Sequence, residues 1–292
     1  MAIIELFLSK EKVIKMIYKT IINKIFHYSS ALKLRSELIL EIIIGEKLGY
    51  KYPTKMSNKI WSQPHIHEEF IWFTRYLKND EEILLLDIGG NSGYWNETFR
   101  TYFPNAYSIG FEPVLEMFEK YEKRFENIPQ MAKVYNVALG ANKNEKDINV
   151  AEGFGLTSFL SYDNSLNEKN KYFTKTETVN IDTLDSYLTE ISTHKKNGKK
   201  IIGKIDVQGY EVEVLKGAKS ILGLIDILII ECSFMNEYQN AEPTFSKLAS
   251  ILNEYKLYPV RFGCFDYNKS LISYERNVLF IKDSYFEVNW VK

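Results

Sequence analysis

Apolar residues change their spacing along this chain, and each change marks a different kind of element. Over the first 50 or so positions Ile14, Ile17, Ile21, Ile25 and Tyr28 recur at helical intervals with lysines between them, which predicts an amphipathic helix. A further helix is expected over His67–Leu77, with Phe70, Phe73, Tyr76 and Leu77 on one side. After residue 80 the pattern becomes short continuous runs. The first, Glu82–Gly90, ends in an acid and two glycines, and others follow at Ala106–Phe111, Ala132–Leu139, Lys200–Val207 and Ile225–Glu231. Runs of this length fit parallel strands buried on both faces. Helical stretches separate several of them: Trp95–Tyr102, Pro113–Arg124, Gly209–Leu222 and Pro243–Tyr255. That alternation predicts an α/β fold around a parallel sheet. Tyr258–Phe265 and Asn277–Lys282 read as two strands with no helix between them, an antiparallel hairpin closing one sheet edge. The polar stretches Asp266–Glu275 and His194–Lys200 read as solvated loops.

Composition narrows the picture. With 45% hydrophobic and 26% charged residues the chain is globular rather than disordered. A formal charge of −1 gives no sign of a surface built to hold a polyanion. Two cysteines, Cys232 and Cys264, exclude a disulfide scaffold and a cysteine-rich zinc site, and suggest a reduced, cytoplasmic setting. The most apolar run, Ile221–Phe234, is shorter than a membrane span and is broken by Asp226 and Glu231. Glu5, Lys10, Glu11, Lys12 and Lys15 break any secretory signal. Residues 1–35 carry seven basic side chains against two acidic ones, a net +5. Such a helix either lies on an anionic membrane surface or packs its stripe on the main domain or a second subunit.

Three constellations carry chemistry. Asp87-Ile88-Gly89-Gly90-Asn91-Ser92-Gly93 links the first buried strand to a helix, where glycines let the backbone approach a ligand. Its glycine spacing fails the dinucleotide fingerprint G-x-G-x-x-G in both registers. Glu112, followed by Pro113, ends the second strand 25 residues after Asp87. A carboxylate there can accept hydrogen bonds from ribose hydroxyls, or it can favour the following helix start. Asn136-Val137-Ala138 ends the third run, where a small residue and free backbone groups could edge an adenine ring. The most specific run is Lys204-Ile205-Asp206-Val207-Gln208-Gly209-Tyr210-Glu211, continued by Val214-Leu215-Lys216-Gly217-Ala218. Asp206 lies at the carboxyl edge, where ligands bind in open α/β sheets.

The form D-x-G-x-N-x-G over 87–93 resembles the first motif of class I S-adenosylmethionine (SAM) methyltransferases. The run from Lys204 to Ala218 resembles the hallmark K-I-D-V-[EQ]-G-x-E-x-x-V-L-x-G-A of the FkbM family of SAM-dependent methyltransferases, with Val214 in the V position. Asn136–Leu139, Ile181–Asp185, the stretch Glu231–Tyr238 with Glu242–Phe245, and Asn277–Ile281 are similar to further family elements, so the resemblance spans about residues 66–283. Gly90 stands where alanine is usual, a small-for-small change expected to leave binding intact, and Gln208 stands where many members have glutamate.

The resemblance implies a Rossmann-like class I methyltransferase domain over residues 61–292, with a mostly parallel seven-stranded sheet and an antiparallel C-terminal strand. Residues 1–60 form an N-terminal helical extension outside it. It implies methyl transfer from SAM to a hydroxyl of a sugar, glycan or glycan precursor, or alternatively of a lipid-linked or other small hydroxylated metabolite. On that reading Asp87, Gly89, Gly90, Asn91, Gly93, Glu112, Pro113, Asn136, Val137 and Ala138 hold the cofactor. Asp206 contacts the acceptor or the cofactor's amino group, and Glu231 orients or deprotonates the acceptor. Glu211 either joins them or satisfies backbone N–H groups at its helix start. His65 and His67 lack metal-site spacing, and a divalent ion shared by Asp206 and Glu231 has no further support. Trp61, Tyr94, Trp95 and Phe154 read as core rather than as sugar platforms. The balanced charge argues against nucleic acid as the acceptor. The rival from another class is an inactive module that binds a membrane or partner through residues 1–35, on the cytoplasmic face.

Overall fold

The structure is a computed structural model, and it describes residues 64–152, 155–163, 167–235, 238–239, 244–263 and 275–286. The expected extension over 1–60, Trp61, Phe154, Cys264 and most of the 266–275 link lie outside the described residues. So do the side chains of His65 and His67. The chain divides into two units, Met1–Ile71 and Trp72–Lys292. The described part of the first is the helical stretch 64–71 of helix α1 (Pro64–Phe73).

In the second unit the continuous apolar runs form the centre of a seven-stranded sheet. Strand β1 (Ile83–Ile88) is buried at every position and pairs in parallel with β2 (Tyr107–Phe111) and β7 (Lys200–Ile205). Strand β3 (Ala132–Tyr135) continues beyond β2, and β8 (Ile227–Ser233) beyond β7. The closing pair, β9 (Leu257–Phe262) and β10 (Glu275–Lys282), is antiparallel, with β10 inserted between β8 and β9. The order β3-β2-β1-β7-β8-β10-β9 is a doubly wound Rossmann-like sheet whose strand order reverses between β1 and β7, the place where such sheets bind ligands. Helices α2 (Tyr94–Tyr102) and α3 (Leu115–Phe125) follow β1 and β2. Helix α5 (Leu188–Lys196) precedes β7, and α8 (Phe245–Glu254) follows β8. One core cluster joins Leu84, Leu86 and Ile109 of the sheet to Ile191 of α5 and to Leu248 and Leu252 of α8.

Three expectations need correction. The run Ala132–Leu139 is two strands rather than one: β3 stays in the large sheet, while β4 (Ala138–Leu139) belongs to a separate three-stranded sheet ordered β4-β6-β5. That second sheet, with β5 (Asn144–Ala151) and β6 (Phe173–Asp182), was not expected at all. The stretch Gly209–Leu222 is two short helices, α6 (Glu211–Lys216) and α7 (Lys219–Leu222). A Cβ at Gly217 would stand 2.0 Å from the Gly140 carbonyl oxygen, so glycine lets the end of β4 press into the break. Asp185 then receives the N–H groups of Ser220 and Ile221 at 3.0 and 3.1 Å, starting α7 afresh. The stretch from His194 to Lys200 is partly ordered, because His194–Lys196 closes α5 and His194 stacks on Tyr107. Between β5 and β6 lies the four-residue helix α4 (Asn167–Asn170). Among the described residues no helix is long and apolar enough to cross a membrane.

Candidate active site

Two turns at the carboxyl edge of the large sheet gather the chemistry-bearing residues. The first, 89–93, joins β1 to α2. Gly89 and Gly93 both have φ +75° and Asn91 has φ +49°, so three of its five residues take the left-handed conformation. The N–H groups of Gly89 and Gly90 donate to the Phe111 carbonyl at 3.0 and 3.1 Å, lashing the turn to the end of β2. A Cβ on Gly89 would stand 2.0 Å from the Asp206 carbonyl oxygen. Glycine there lets the first turn touch the second.

Position 90 is more constrained than its size suggests. A Cβ on Gly90 would stand 2.3 Å from the ring of Tyr121, and one on Gly93 2.4 Å from it. Tyr121 reaches in from α3, fully buried. Its hydroxyl donates to Asp87 Oδ2 at 2.6 Å and accepts from Asn96 Nδ2 at 2.6 Å. A methyl group at position 90 therefore needs Tyr121 to move. Asp87 is buried, and its Oδ1 has no hydrogen-bond partner. Burial raises its pKa against the pull of Lys204 and the Tyr121 hydroxyl.

Glu112 sits between the two strand ends. Its Oε2 accepts the Asn91 N–H at 2.8 Å and its Oε1 the Val114 N–H at 2.9 Å. Burial pushes its pKa up to about 7, although those two N–H groups oppose the rise. The Asn136 side chain fastens its turn to the end of β2: its Nδ2 donates to the carbonyls of Glu112 and Pro113 at 3.0 and 2.9 Å. Ala138 packs with Val114, Ile148 and Val150 under the small sheet, and Val137 packs against the main core.

The second turn follows β7. Lys204, 7% exposed, donates to Asp206 Oδ2 at 2.9 Å, while Asp206 is 30% exposed. Gln208, held at φ +52°, uses its single amide nitrogen twice. It donates to Asp206 Oδ1 at 2.9 Å and to Glu231 Oε2, on β8, at 2.6 Å. Its Oε1 is buried without a partner. Ser158 Oγ donates to the Gln208 carbonyl at 2.6 Å, tying the turn to the loop beside β5. Glu211 is 2% exposed and accepts the N–H groups of Val207 and Gly209 at 3.2 and 3.0 Å. It braces the turn from inside, and burial lifts its pKa to about 7.

The two linked carboxyl groups are driven apart. Burial alone would raise Asp206, but the Lys204 charge and the hydrogen bonds from Lys204 and Gln208 outweigh it, and its pKa falls. Glu231 is pushed well above the usual carboxylate range by burial and then by the negative charge of Asp206, Glu275 and Glu211. Environments that separate two neighbouring acids in this way assign one to hold charge and the other to hold a proton.

Some of these roles carried no sequence signal. Tyr121 is one tyrosine among 20. Lys204 stood inside the quoted run, but nothing marked it as the partner of Asp206. Trp95 stacks on Phe99 at 5.5 Å, a core contact, and the Arg124 guanidinium lies 5.7 Å from the Tyr94 ring centre. Among the described residues no group of three or more His, Cys, Asp or Glu side chains is arranged to hold a metal.

The residues fit SAM in two observable ways. The glycines of the first turn open the backbone, and Asp87, Glu112, Asp206 and Glu231 stand at one edge with Lys204. That acid-rich edge, with an unsatisfied Asp87 oxygen, suits a ligand carrying a sulfonium and an ammonium.

Comparison with known proteins gives the following. No curated protein matches the sequence. Among solved structures, methyltransferase FkbM from Methylobacillus flagellatus KT aligns with TM-score 0.42 and 12% identity, over 69% of this chain and 44% of that one. This chain thus spans less than half of that protein. A SAM-dependent methyltransferase from Aquifex aeolicus aligns with TM-score 0.36 and 12% identity, over 74% and 87% of the two chains. Precorrin-6y C5,15-methyltransferase from Geobacter metallireducens GS-15 aligns with TM-score 0.37 and 8% identity, over 74% and 88%. A sequence model described as the methyltransferase FkbM domain matches residues 87–257, from the acid of the first turn to the start of β9. That match takes in both turns and more than half of the chain, which therefore belongs to the FkbM methyltransferase family.

Proposed function

We propose that this chain transfers the methyl group of SAM to a hydroxyl of a sugar, glycan or glycan precursor. The observation that carries the reading is the Asp206–Gln208–Glu231 bridge, set against a glycine turn that touches the backbone of Asp206. When bound, SAM supplies an electrophilic methyl on its sulfonium. The first turn and Asp87 would hold its amino-acid end, with Asp206 on the amino group, and Glu112 would hold its ribose hydroxyls. Placing the acceptor oxygen in line is a proximity effect, for which rigid turns are suited. Glu231 takes the acceptor's hydroxyl proton. Its raised pKa makes it a stronger base than an ordinary carboxylate once ionised, which suits a weakly acidic alcohol. Asp206, kept charged by Lys204, also raises Glu231. Glu211 positions the turn without touching either ligand. The sugar acceptor rests on family resemblance alone.

The test joins calorimetry to turnover. SAM is expected to bind saturably to the wild type and not to Glu112→Ala. With hydroxylated sugars and release of the demethylated cofactor as readout, Asp206→Asn and Glu231→Gln are each expected to lose about tenfold or more in kcat, with unchanged circular dichroism. Absence of SAM binding, or full activity in both amide variants, would overturn the reading.

A further inference from the structure

The small sheet reaches the reaction edge through a strap. Between β5 and α4 the chain turns back, and residues 157–160 run over the second turn. Ser158 is 1% exposed and is paired with Asn149 of β5, its N–H donating to the Asn149 carbonyl at 3.1 Å and its carbonyl accepting the Asn149 N–H at 2.9 Å. Strap and turn then meet residue by residue. Ser158 Oγ donates to the Gln208 carbonyl at 2.6 Å. A Leu160 methyl lies 3.1 Å from where a Cβ on Gly209 would stand, and the Phe159 ring lies 4.7 Å from that of Tyr210. The Leu160 N–H donates to Ser158 Oγ at 3.0 Å, so the hydroxyl is left to point its proton at the Gln208 carbonyl.

Gln208 is held there against two penalties. Its φ of +52° lies in the left-handed region, which residues with a Cβ disfavour. Its Oε1 is buried without a partner, which buried polar atoms seldom are. Such a conformation persists only where its surroundings fix it, and it gathers at functional sites. Here the side chain is held for its other end, the nitrogen on Asp206 and Glu231. The peptide between Gln208 and Gly209 is pinned on both sides. Its carbonyl accepts from Ser158, and its N–H donates to Glu211 Oε1 at 3.0 Å. Glu211 belongs to the helix that the turn opens, whereas Ser158 comes from the other sheet.

We propose that Ser158 is a positioning residue for methyl transfer: by fixing the Gln208–Gly209 peptide it keeps the Gln208 amide on both Asp206 and Glu231. Its part in turnover rests on the methyl-transfer reading; its hold on the two acids does not. Without the hydroxyl the Gln208 carbonyl is a buried acceptor lacking its donor, and the turn shifts to find another. The amide nitrogen is then drawn off the carboxyl groups, which lose a donor that favours their ionised forms, so both titrate higher. The charged groups facing Glu231 are Asp206 and Lys204 at the end of β7, Glu211 of α6 and Glu275 of β10. None of these lies on the strap, so Ser158 reaches Glu231 through Gln208.

The experiment follows the side-chain carboxyl carbons of the ¹³C-labelled full chain by NMR as pH is varied, beside pH–rate profiles with SAM and hydroxylated sugars. In Ser158→Ala the Glu231 midpoint is expected to rise by roughly half a pH unit or more, and the pH at half-maximal rate to rise with it. The same variant should lose about tenfold in kcat, with SAM affinity and acceptor KM within about twofold of the wild type. Ser158→Thr keeps the hydroxyl and should keep the wild-type midpoint. Ser158→Cys fills the volume with a weak donor and carries the test if the alanine variant does not fold. Thr157 is the control, since its Oγ1 ties the strap to β5 by accepting the Ala151 N–H at 3.1 Å. Thr157→Ala should lower the melting temperature and leave the Glu231 midpoint in place. An unmoved midpoint in Ser158→Ala, or in Ser158→Cys where that variant carries the test, overturns the proposal, and so does an equal shift in Thr157→Ala. If the midpoint rises while the pH–rate profile stays put, the hold of Ser158 on the acids stands and the role of Glu231 as base falls instead.

Discussion

At the β1–β2 end of the edge the holding is done mainly by backbone groups, while at the β7–β8 end it is done mainly by polar and charged side chains. The first turn is fixed by the N–H groups of Gly89 and Gly90, which donate to the Phe111 carbonyl, and by Glu112, which accepts the Asn91 N–H. The second is fixed by Lys204, Gln208 and Glu211, and its geometry depends on which carboxyl groups are ionised. The difference teaches where each half is vulnerable. A backbone-built site fails by collision, abruptly. A charge-built site fails by degrees, and pH moves it.

Gly89→Ala attacks the first half and carries the largest expected effect. The added methyl would overlap the Asp206 carbonyl at 2.0 Å in a left-handed conformation, which alone costs about 1 kcal/mol or more. SAM affinity should fall about a hundredfold or more, with a clearly lower melting temperature. A variant that melts and binds like the wild type would remove the distinction between the halves. Gln208→Glu attacks the second half. It keeps the side chain's length but replaces the shared donor with a third carboxyl group between Asp206 and Glu231, where like charges cannot all ionise. Turnover should fall between about tenfold and a hundredfold, and the pH at half-maximal rate should rise, since Glu231 must lose its proton against more negative charge. A pH–rate profile checks both, and an unshifted profile would mean that Gln208 does not couple the two acids.

The smallest effect is a pH dependence in the first half. Hydroxyl groups donating to Glu112 favour its ionised form, so SAM must displace the proton that Glu112 holds below about pH 7. Affinity should rise roughly tenfold at most between about pH 6 and 8, then level off. The sign for the cofactor-free fold is opposite. Glu112 and Glu211 have pKa values raised to about 7, so their stabilising protons are fully present below the unfolded value and are lost as pH rises through about 7. Calorimetry in buffers of different ionisation enthalpy should show proton release on binding, and its absence would make Glu112 a purely structural residue.

The parts of the fold legible in sequence were those whose signal is local. Strands β1, β2, β7 and β8 announce themselves because burial on both faces makes them continuously apolar. Strands β5 and β6 bury one face, through Ile148, Val150, Val179 and Ile181, and their other positions read as polar loop. The break at Gly217 comes from a distant carbonyl at Gly140, which no helical periodicity reports. The site divides in the same way. Its glycines and acids stand in recognisable runs, but the pairing of Gln208 with Glu231 joins residues 23 apart in sequence. The burial of Glu211 beneath its own turn is equally invisible until the turn closes.

Tyr121 ties four positions into one inherited unit. Its ring lies under 3 Å from where side chains at 90, 93 and 110 would begin, so these three glycines and the tyrosine record a single choice about who fills that volume. A chain with alanine at the position of Gly90 would need a smaller or differently angled residue at the position of Tyr121. The two columns should drift together, and a glycine-rich turn in such a chain keeps the memory of a neighbouring ring as much as of any ligand.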